Sequence, residues 1–271
     1  MGVCEKMYTT AYGVIHYWIT ETQSERPWLV FLPGLTADHR LFDKQIEYFQ
    51  KDYNCLVWDA PAHGKSRPFP LRFTMKDLVL YMHNILAEES IRRPVFIGQS
   101  MGGYIAQAYM AQYPHDVAGF ISIDSAPLGR QYYKAWELFC VKHTKFMYQC
   151  IPWKVLHEWS AVGNAETEYG RTLMRQMMEP YEKPEFCDLA SYGFRILAEA
   201  IEEKGCYAIT CPTLLLCGER DGTGFVKRYN QMWAEREQYP LVWVPDAGHN
   251  ANTDAPESVN KQIERFLLNL K

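Results

Sequence analysis

The 271-residue sequence has no run approaching eighteen unbroken apolar residues, so nothing in it reads as a membrane-spanning helix. It also lacks any excess of basic charge. Lys and Arg number 28 against 32 Asp and Glu, a net charge of −4. Without a positive field, neither nucleic acid nor an anionic lipid surface is expected as a partner. No C-x-x-C pair occurs among the eight cysteines, at positions 4, 55, 140, 150, 187, 206, 211 and 217. A chain this long needs no staples, so they read as reduced thiols of a cytoplasmic protein rather than a disulfide framework. No H-E-x-x-H and no clustered Cys/His spacing occurs, so no metal and no other cofactor is expected. The polar stretch Met1 to Thr10 lacks the apolar core of a signal peptide. Lys6 stands where a myristoylation motif starting at Gly2 requires serine or threonine. Internal repeats, linkers and low-complexity runs are missing too. The remaining description is a globular chain with 48% hydrophobic and 22% charged residues.

What is present is an alternation of short apolar runs with longer amphipathic stretches. Met7 to Gly13 and Val14 to Thr20 read as two strands around a glycine turn, an antiparallel start. Trp28–Leu32, Cys55–Trp58, Val95–Ile97, Phe120–Ile123, Thr213–Cys217 and Leu241–Val244 are apolar throughout. Unbroken apolarity marks strands covered on both faces, as in a parallel sheet between helices. Helices are expected over Leu41–Gln50, Thr74–Glu89, Met101–Tyr113 and Glu257–Leu270, with Thr74 and Asp77 forming a capping box. The fold class is therefore α/β, a mostly parallel central sheet covered by helices. Residues 127–205 break the rhythm. They read as helices only and carry Tyr132, Tyr133, Trp136, Phe139, Phe146, Met147, Tyr148, Trp153, Trp159, Met174, Met177 and Met178. This stretch is expected to be an all-helical cap inserted into a core made of residues 1–126 and 206–271. Most of its aromatics are expected to pack the insert's own core, a minority facing what lies beneath.

The strongest local signal is the apolar strand ending Gly98-Gln99-Ser100-Met101-Gly102-Gly103 and running directly into a helix. In G-x-S-x-G the serine occupies a strained strand-to-helix turn, where side chains two positions either side would collide. Gly98 and Gly102 remove them, leaving Ser100 at the carboxyl edge of the sheet as the candidate nucleophile. A serine hydroxyl needs a base to take its proton. His249 is the best-placed histidine, in a loop that follows the strand Leu241–Val244. That base needs a carboxylate to fix its tautomer. Asp221 is the expected acid, just past the strand Thr213–Cys217. Asp124, after Phe120–Ile123, is the alternative, with Glu219 weaker and Asp246 too close in sequence to His249. Acyl transfer also needs N–H donors where an oxyanion forms. The backbone of Met101 and of Leu35, the latter beyond the tight bend that Gly34 allows, are the candidates. His63-Gly64-Lys65-Ser66 is no phosphate loop, because Asp59 stands where that motif requires glycine. It reads as loop shaping.

Four landmarks in order then make the chain resemble the α/β-hydrolase superfamily over nearly its whole length. They are Leu32-Pro-Gly-Leu35, the segment Asp59 to Ser66, the elbow from Gly98 to Gly103, and the pair of loops at Gly218–Asp221 and Gly248–Asp254. The resemblance implies a nucleophile at Ser100, an acid at Asp221, a base at His249, and a helical cap at the insert. Departures are Pro33 and Gln99, where many relatives carry histidine, and Ala62, where glycine is frequent. The expected activity is a cofactor-independent serine hydrolase, acting on a small, partly apolar carboxylic ester. The same resemblance leaves room for thioester, lactone, small-amide and carbon–carbon substrates. It also admits a ligand receptor with slow or single turnover. The sequence implies a small-molecule substrate and says nothing of oligomeric state.

Overall fold

The computed structural model describes residues 3–20, 25–203 and 207–270. Gly2, Cys206 and the expected boundary between 205 and 206 lie outside the described residues. Eight strands form one sheet in the order β1-β2-β4-β3-β5-β6-β7-β8. They are β1 (Cys4–Thr9), β2 (Val14–Thr20), β3 (Trp28–Leu32), β4 (Asn54–Trp58), β5 (Val95–Gln99), β6 (Gly119–Ile123), β7 (Thr213–Gly218) and β8 (Leu241–Val244). The β1–β2 and β2–β4 pairs are antiparallel and every other pair is parallel, as the apolar runs imply.

Alternate residues of the central strands feed two cores, following the two-residue period of a strand. Val30, Leu32 and Phe96 pack beneath α2 (Met75–Glu88), α3 (Met101–Gln112) and α9 (Val226–Glu237). Leu29, Phe31 and Ile97 pack against α1 (Asp43–Phe49) and α11 (Pro256–Leu268) on the other face. Thr74 and Asp77 close the capping box of α2, the hydroxyl accepting from the Asp77 N–H and the carboxylate from the Thr74 N–H. Boundaries move elsewhere. The first strand ends at Thr9, because the Thr10 hydroxyl accepts the N–H groups of Tyr12 and Gly13 and folds residues 10–13 into a turn. A 3-10 turn, His39–Phe42, precedes α1, and the last helical stretch is split into α10 (Ala251–Asp254) and α11. Helix α9, unforeseen in sequence, buries Tyr229, Asn230 and Trp233.

Between β6 and β7 the described residues form α4 (Ala135–Lys142), α5 (Thr144–Cys150), α6 (Trp153–Asn164), α7 (Glu168–Met178) and α8 (Lys183–Glu203), with a 3-10 turn before them. The expectation for the aromatics of this stretch needs correction. Tyr132 and Met174, Met177 and Met178 are buried, but Trp136, Phe139, Phe146, Met147 and Trp159 face solvent, Phe146 at 77% exposure. Helices α4 and α5 each present one face inward, mainly to α8, and on the outer side Trp136 meets the Phe225 ring edge-on with centroids 6.0 Å apart. The α8 side of the insert joins the sheet through Arg67. Its guanidinium pairs with Glu185 at 2.6 Å and lies 3.9 Å over the Tyr181 ring.

Candidate active site

Strand β3 has β4 on one side and β5 on the other, so the chain's direction of progress across the sheet reverses there. In open α/β sheets such a reversal leaves a crevice at the carboxyl ends of the strands. The Pro33–Thr36 turn leaves β3 on one side of it, and Ser100 leaves β5 on the other.

Ser100 holds φ 47° and ψ −116°, a conformation that non-glycine residues rarely adopt. The surroundings enforce it. A Cβ on Gly98 would lie 2.5 Å from the Gly103 nitrogen, and one on Gly102 only 1.8 Å from the Leu32 carbonyl oxygen. The elbow is therefore packed directly onto β3. Ser100 N–H donates to the Ile123 carbonyl at 2.9 Å, which ties the turn to β6 as well.

His249 Nε2 lies 2.9 Å from Ser100 Oγ, and His249 Nδ1 lies 2.9 Å from Asp221 Oδ2. The loops that carry the two partners are zipped together. Glu219 N–H donates to Val244 O and Arg220 N–H to Ala247 O. Asp221 is buried, and its other oxygen accepts the Thr223 N–H at 2.8 Å. Asp124 does not reach the ring. Its oxygens accept the N–H groups of Gly218 at 2.7 Å and Ala251 at 2.9 Å, clamping both loops from below. Glu219 is exposed, and Asp246 pairs with Arg220. Burial alone would lower the His249 pKa, but the charge and hydrogen bond of Asp221, with Asp124 behind it, hold it above the ordinary histidine value. Burial, together with the nearby charge of Asp221, raises the Asp124 carboxyl well above the usual carboxylate range.

Gly34 abuts the serine, since a Cβ there would stand 3.1 Å from Ser100 Cβ and 2.2 Å from Gln99 Oε1. Leu35 and Met101 both line the narrow cavity beside it. Among the described residues neither of their N–H groups meets an acceptor, and Met101, at the first helical position, has none within its helix. Three positioning residues escape the sequence reading. Gln99 Nε2 donates to the His249 carbonyl at 2.8 Å and to Asn250 Oδ1 at 3.0 Å. Gly103 sits where a Cβ would strike Ser125. Asp254 accepts the N–H groups of Gly248, Glu166 and Thr167, joining the histidine loop to the α6–α7 turn. Only the position of Gln99 inside the motif signals its role.

Two clusters bring metal-ligating side chains together, Asp38/His39/Asp59 and Asp124/Cys217/Asp221. Their carboxylate oxygens are already engaged. Asp59 accepts from the His39 and Lys65 backbones, Asp38 binds the Arg40 guanidinium, and Asp124 and Asp221 hold the contacts above.

The sequence profile of the alpha/beta hydrolase fold family matches residues 27–160. The Cif epoxide hydrolase from Acinetobacter nosocomialis superposes with a TM-score of 0.80 at 17% identity, covering 98% of this chain and 89% of that one. The chain belongs to the α/β-hydrolase superfamily. At that level it is an α/β-type hydrolase. It is 24% identical over 271 residues to 3-oxoadipate enol-lactonase 2 of Acinetobacter baylyi, which covers 95% of each chain. It is also 24% identical over 254 residues to a 2-succinyl-6-hydroxy-2,4-cyclohexadiene-1-carboxylate synthase of Salmonella arizonae, covering 90% of this chain and 95% of the relative. No helix among the described residues is long and apolar enough to cross a membrane.

Proposed function

We propose that this α/β-hydrolase is a cofactor-independent serine hydrolase of carboxylic esters, with Ser100 as nucleophile, His249 as general base and acid, and Asp221 as the group that orients the base. The observation that carries this is the unbroken relay Ser100 Oγ, His249 Nε2, His249 Nδ1, Asp221 Oδ2, with 2.9 Å at each junction. A carboxylate at Asp221 accepts from the ring, so Nδ1 keeps its hydrogen and Nε2 presents a lone pair to the serine. Ser100 Oγ attacks the ester carbonyl carbon as Nε2 takes the hydroxyl proton. The free N–H groups of Leu35 and Met101 receive the oxyanion. His249 then gives its proton to the departing alkoxide, and an alcohol leaves. Water repeats the sequence on the acyl-enzyme and releases the acid. Likeness to an enol-lactonase, whose bond is a cyclic ester, agrees with this bond type. Residues 127–205 act in this reading as the cap over the crevice, and the free thiols of the seven described cysteines suit a cytoplasmic protein.

Hydrolysis of p-nitrophenyl butanoate by the parent and by Ser100→Ala tests the proposal. The expected result is multiple turnover by the parent and a loss of several orders of magnitude in the variant. A fluorophosphonate should label the parent at Ser100 and spare the variant. Equal rates in the two proteins would sink it, and a single stoichiometric release of p-nitrophenol without further turnover would favour a receptor instead.

A further inference from the structure

Behind the oxyanion turn lies a histidine that the relay does not use. The loop from Asp59 to Ser66 is held from within. Asp59 Oδ2 accepts the Lys65 N–H at 2.7 Å, and its carbonyl accepts the Ser66 hydroxyl at 2.7 Å. Gly64 holds φ +45°, and a Cβ there would lie 2.2 Å from Asp59 Oδ2. His63 N–H donates to the Ala60 carbonyl, and the His63 carbonyl accepts from Ser66. The His63 backbone is thus fixed on both sides, and the residue is only 5% exposed.

Its ring has one settled nitrogen and one unsettled. Nδ1 lies 3.0 Å from the Pro61 carbonyl, an acceptor, so Nδ1 carries the hydrogen and Nε2 is left as a lone pair. Burial lowers the His63 pKa, more than the Pro61 carbonyl and the nearby Asp59 raise it, which keeps the ring neutral. Nε2 is buried and has no partner among the described residues. His63 is among the residues lining the cavity that starts at Gly34, Leu35 and Met101 and continues over Phe73, Leu189 and Ile196. Every other lining residue is apolar or glycine, and the free space is that of about one water molecule. An apolar wall interrupted by one fixed acceptor is how a pocket selects a single donor on its ligand.

We infer that this cavity, widened as flexible lining side chains such as Leu35 and Met101 give way, receives the acyl part of the substrate, and that His63 Nε2 accepts a hydrogen bond from a hydroxyl carried on an otherwise apolar acyl chain. The assignment rests on the hydrolase reading only for which half of the substrate enters the cavity.

Binding separates this recognition from turnover. Calorimetric titration of Ser100→Ala protein with 3-hydroxybutanoate, 4-hydroxybutanoate and 6-hydroxyhexanoate is compared with butanoate and hexanoate, and with the corresponding methoxy acids. At least one hydroxy acid should bind about tenfold more tightly than its unsubstituted partner, whereas the methoxy acid, which cannot donate, should gain nothing. In Ser100→Ala/His63→Phe the gain should fall below about twofold, and in Ser100→Ala/His63→Gln, which keeps an acceptor, part of it should return. Should His63→Phe fail to fold, the methoxy comparison decides on the unaltered histidine. A series with no hydroxyl preference, an equal gain for the methoxy acid, or a preference that survives His63→Phe would overturn the inference. Hydroxyl preference in a parent that turns over no ester would overturn the hydrolase reading and leave His63 in place. Ester turnover without that preference would do the reverse.

Discussion

At Ser100 the backbone carries a conformation that its own side chain disfavours, and the glycines around it allow the close packing that conformation needs. Gly102→Ala tests how hard the elbow is pressed onto β3. Its new methyl would meet the Leu32 carbonyl oxygen, a backbone atom that cannot swing aside. The expected cost is about 1–3 kcal/mol or more, seen as a lowered thermal midpoint along with lost activity. A variant as stable and active as the parent would show the elbow to be looser than its geometry implies. The serine was legible in sequence because steric demand writes itself as glycine at fixed spacing. The acid was not fully legible. Asp124 and Asp221 both follow apolar strands, and only coordinates reveal that two backbone N–H groups already occupy the oxygens of Asp124. The two carboxylates should separate in the laboratory. Asp221→Asn removes the group that fixes the His249 tautomer and raises its pKa, so kcat should fall about 10⁴-fold. In the proposed mechanism activity needs neutral His249, so the parent's kcat/KM should rise with pH through a midpoint above the ordinary histidine value. In Asp221→Asn that midpoint should move to lower pH, because burial then acts with less opposition. Asp124→Asn should keep far more activity and instead lose about 1–3 kcal/mol of stability, since its amide NH₂ faces an N–H donor. The reverse pattern in urea unfolding and in pH–rate profiles would reassign the acid to Asp124.

At the level of elements, the apolar runs located β3 to β8, because they carry almost no polar interruption that would hide them, whereas β1 and β2 were located by the glycine turn between them. Their order could not be read, since pairing is set by crossovers that hydrophobicity does not encode. The helical character of the described stretch between β6 and β7 was legible for the same compositional reason, but the direction of its aromatics was not. Trp136 and Phe146 lie on short helices whose inward face is narrow, and a large side chain looks the same in sequence on either face. How the histidine loop is tied to the α6–α7 turn was also hidden, because much of that tie runs through one carboxylate. Asp254 accepts two N–H groups of the α6–α7 turn and the Gly248 N–H beside His249. Asp254→Ala leaves these donors without their acceptor. Hydrogen exchange at Glu166, Thr167 and Gly248 should accelerate, and stability should drop by about 1–3 kcal/mol. If exchange at Gly248 quickens while Glu166 and Thr167 stay protected, the carboxylate holds only its own loop. Parent-like protection at all three positions would show that other contacts hold the insert.

For the whole molecule, the reversal of strand order at β3 is what makes one crevice out of distant stretches. It sets the Pro33–Thr36 turn and Ser100 side by side although more than sixty residues separate them. The sequence supplied the parts and their edge of the sheet, while the crevice emerged only from the topology. Helix α8 lies across this place and leaves little room. A Cβ on Gly193 would fall 2.3 Å from Leu35 Cδ1, the mobile end of a side chain whose N–H is a proposed oxyanion donor. Gly193→Val therefore should not break the fold. It should push the Leu35 side chain into the cavity, where free space is already that of about one water. Esters with short acyl groups demand little of that space, and p-nitrophenyl acetate should be hydrolysed within about twofold of the parent rate. For p-nitrophenyl hexanoate the added bulk competes directly with the acyl chain, so KM should rise about tenfold or more while kcat changes less. Equal effects on both esters would mean that the acyl chain lies elsewhere, and a gain for hexanoate would mean that α8 swings clear of Leu35 before the substrate enters.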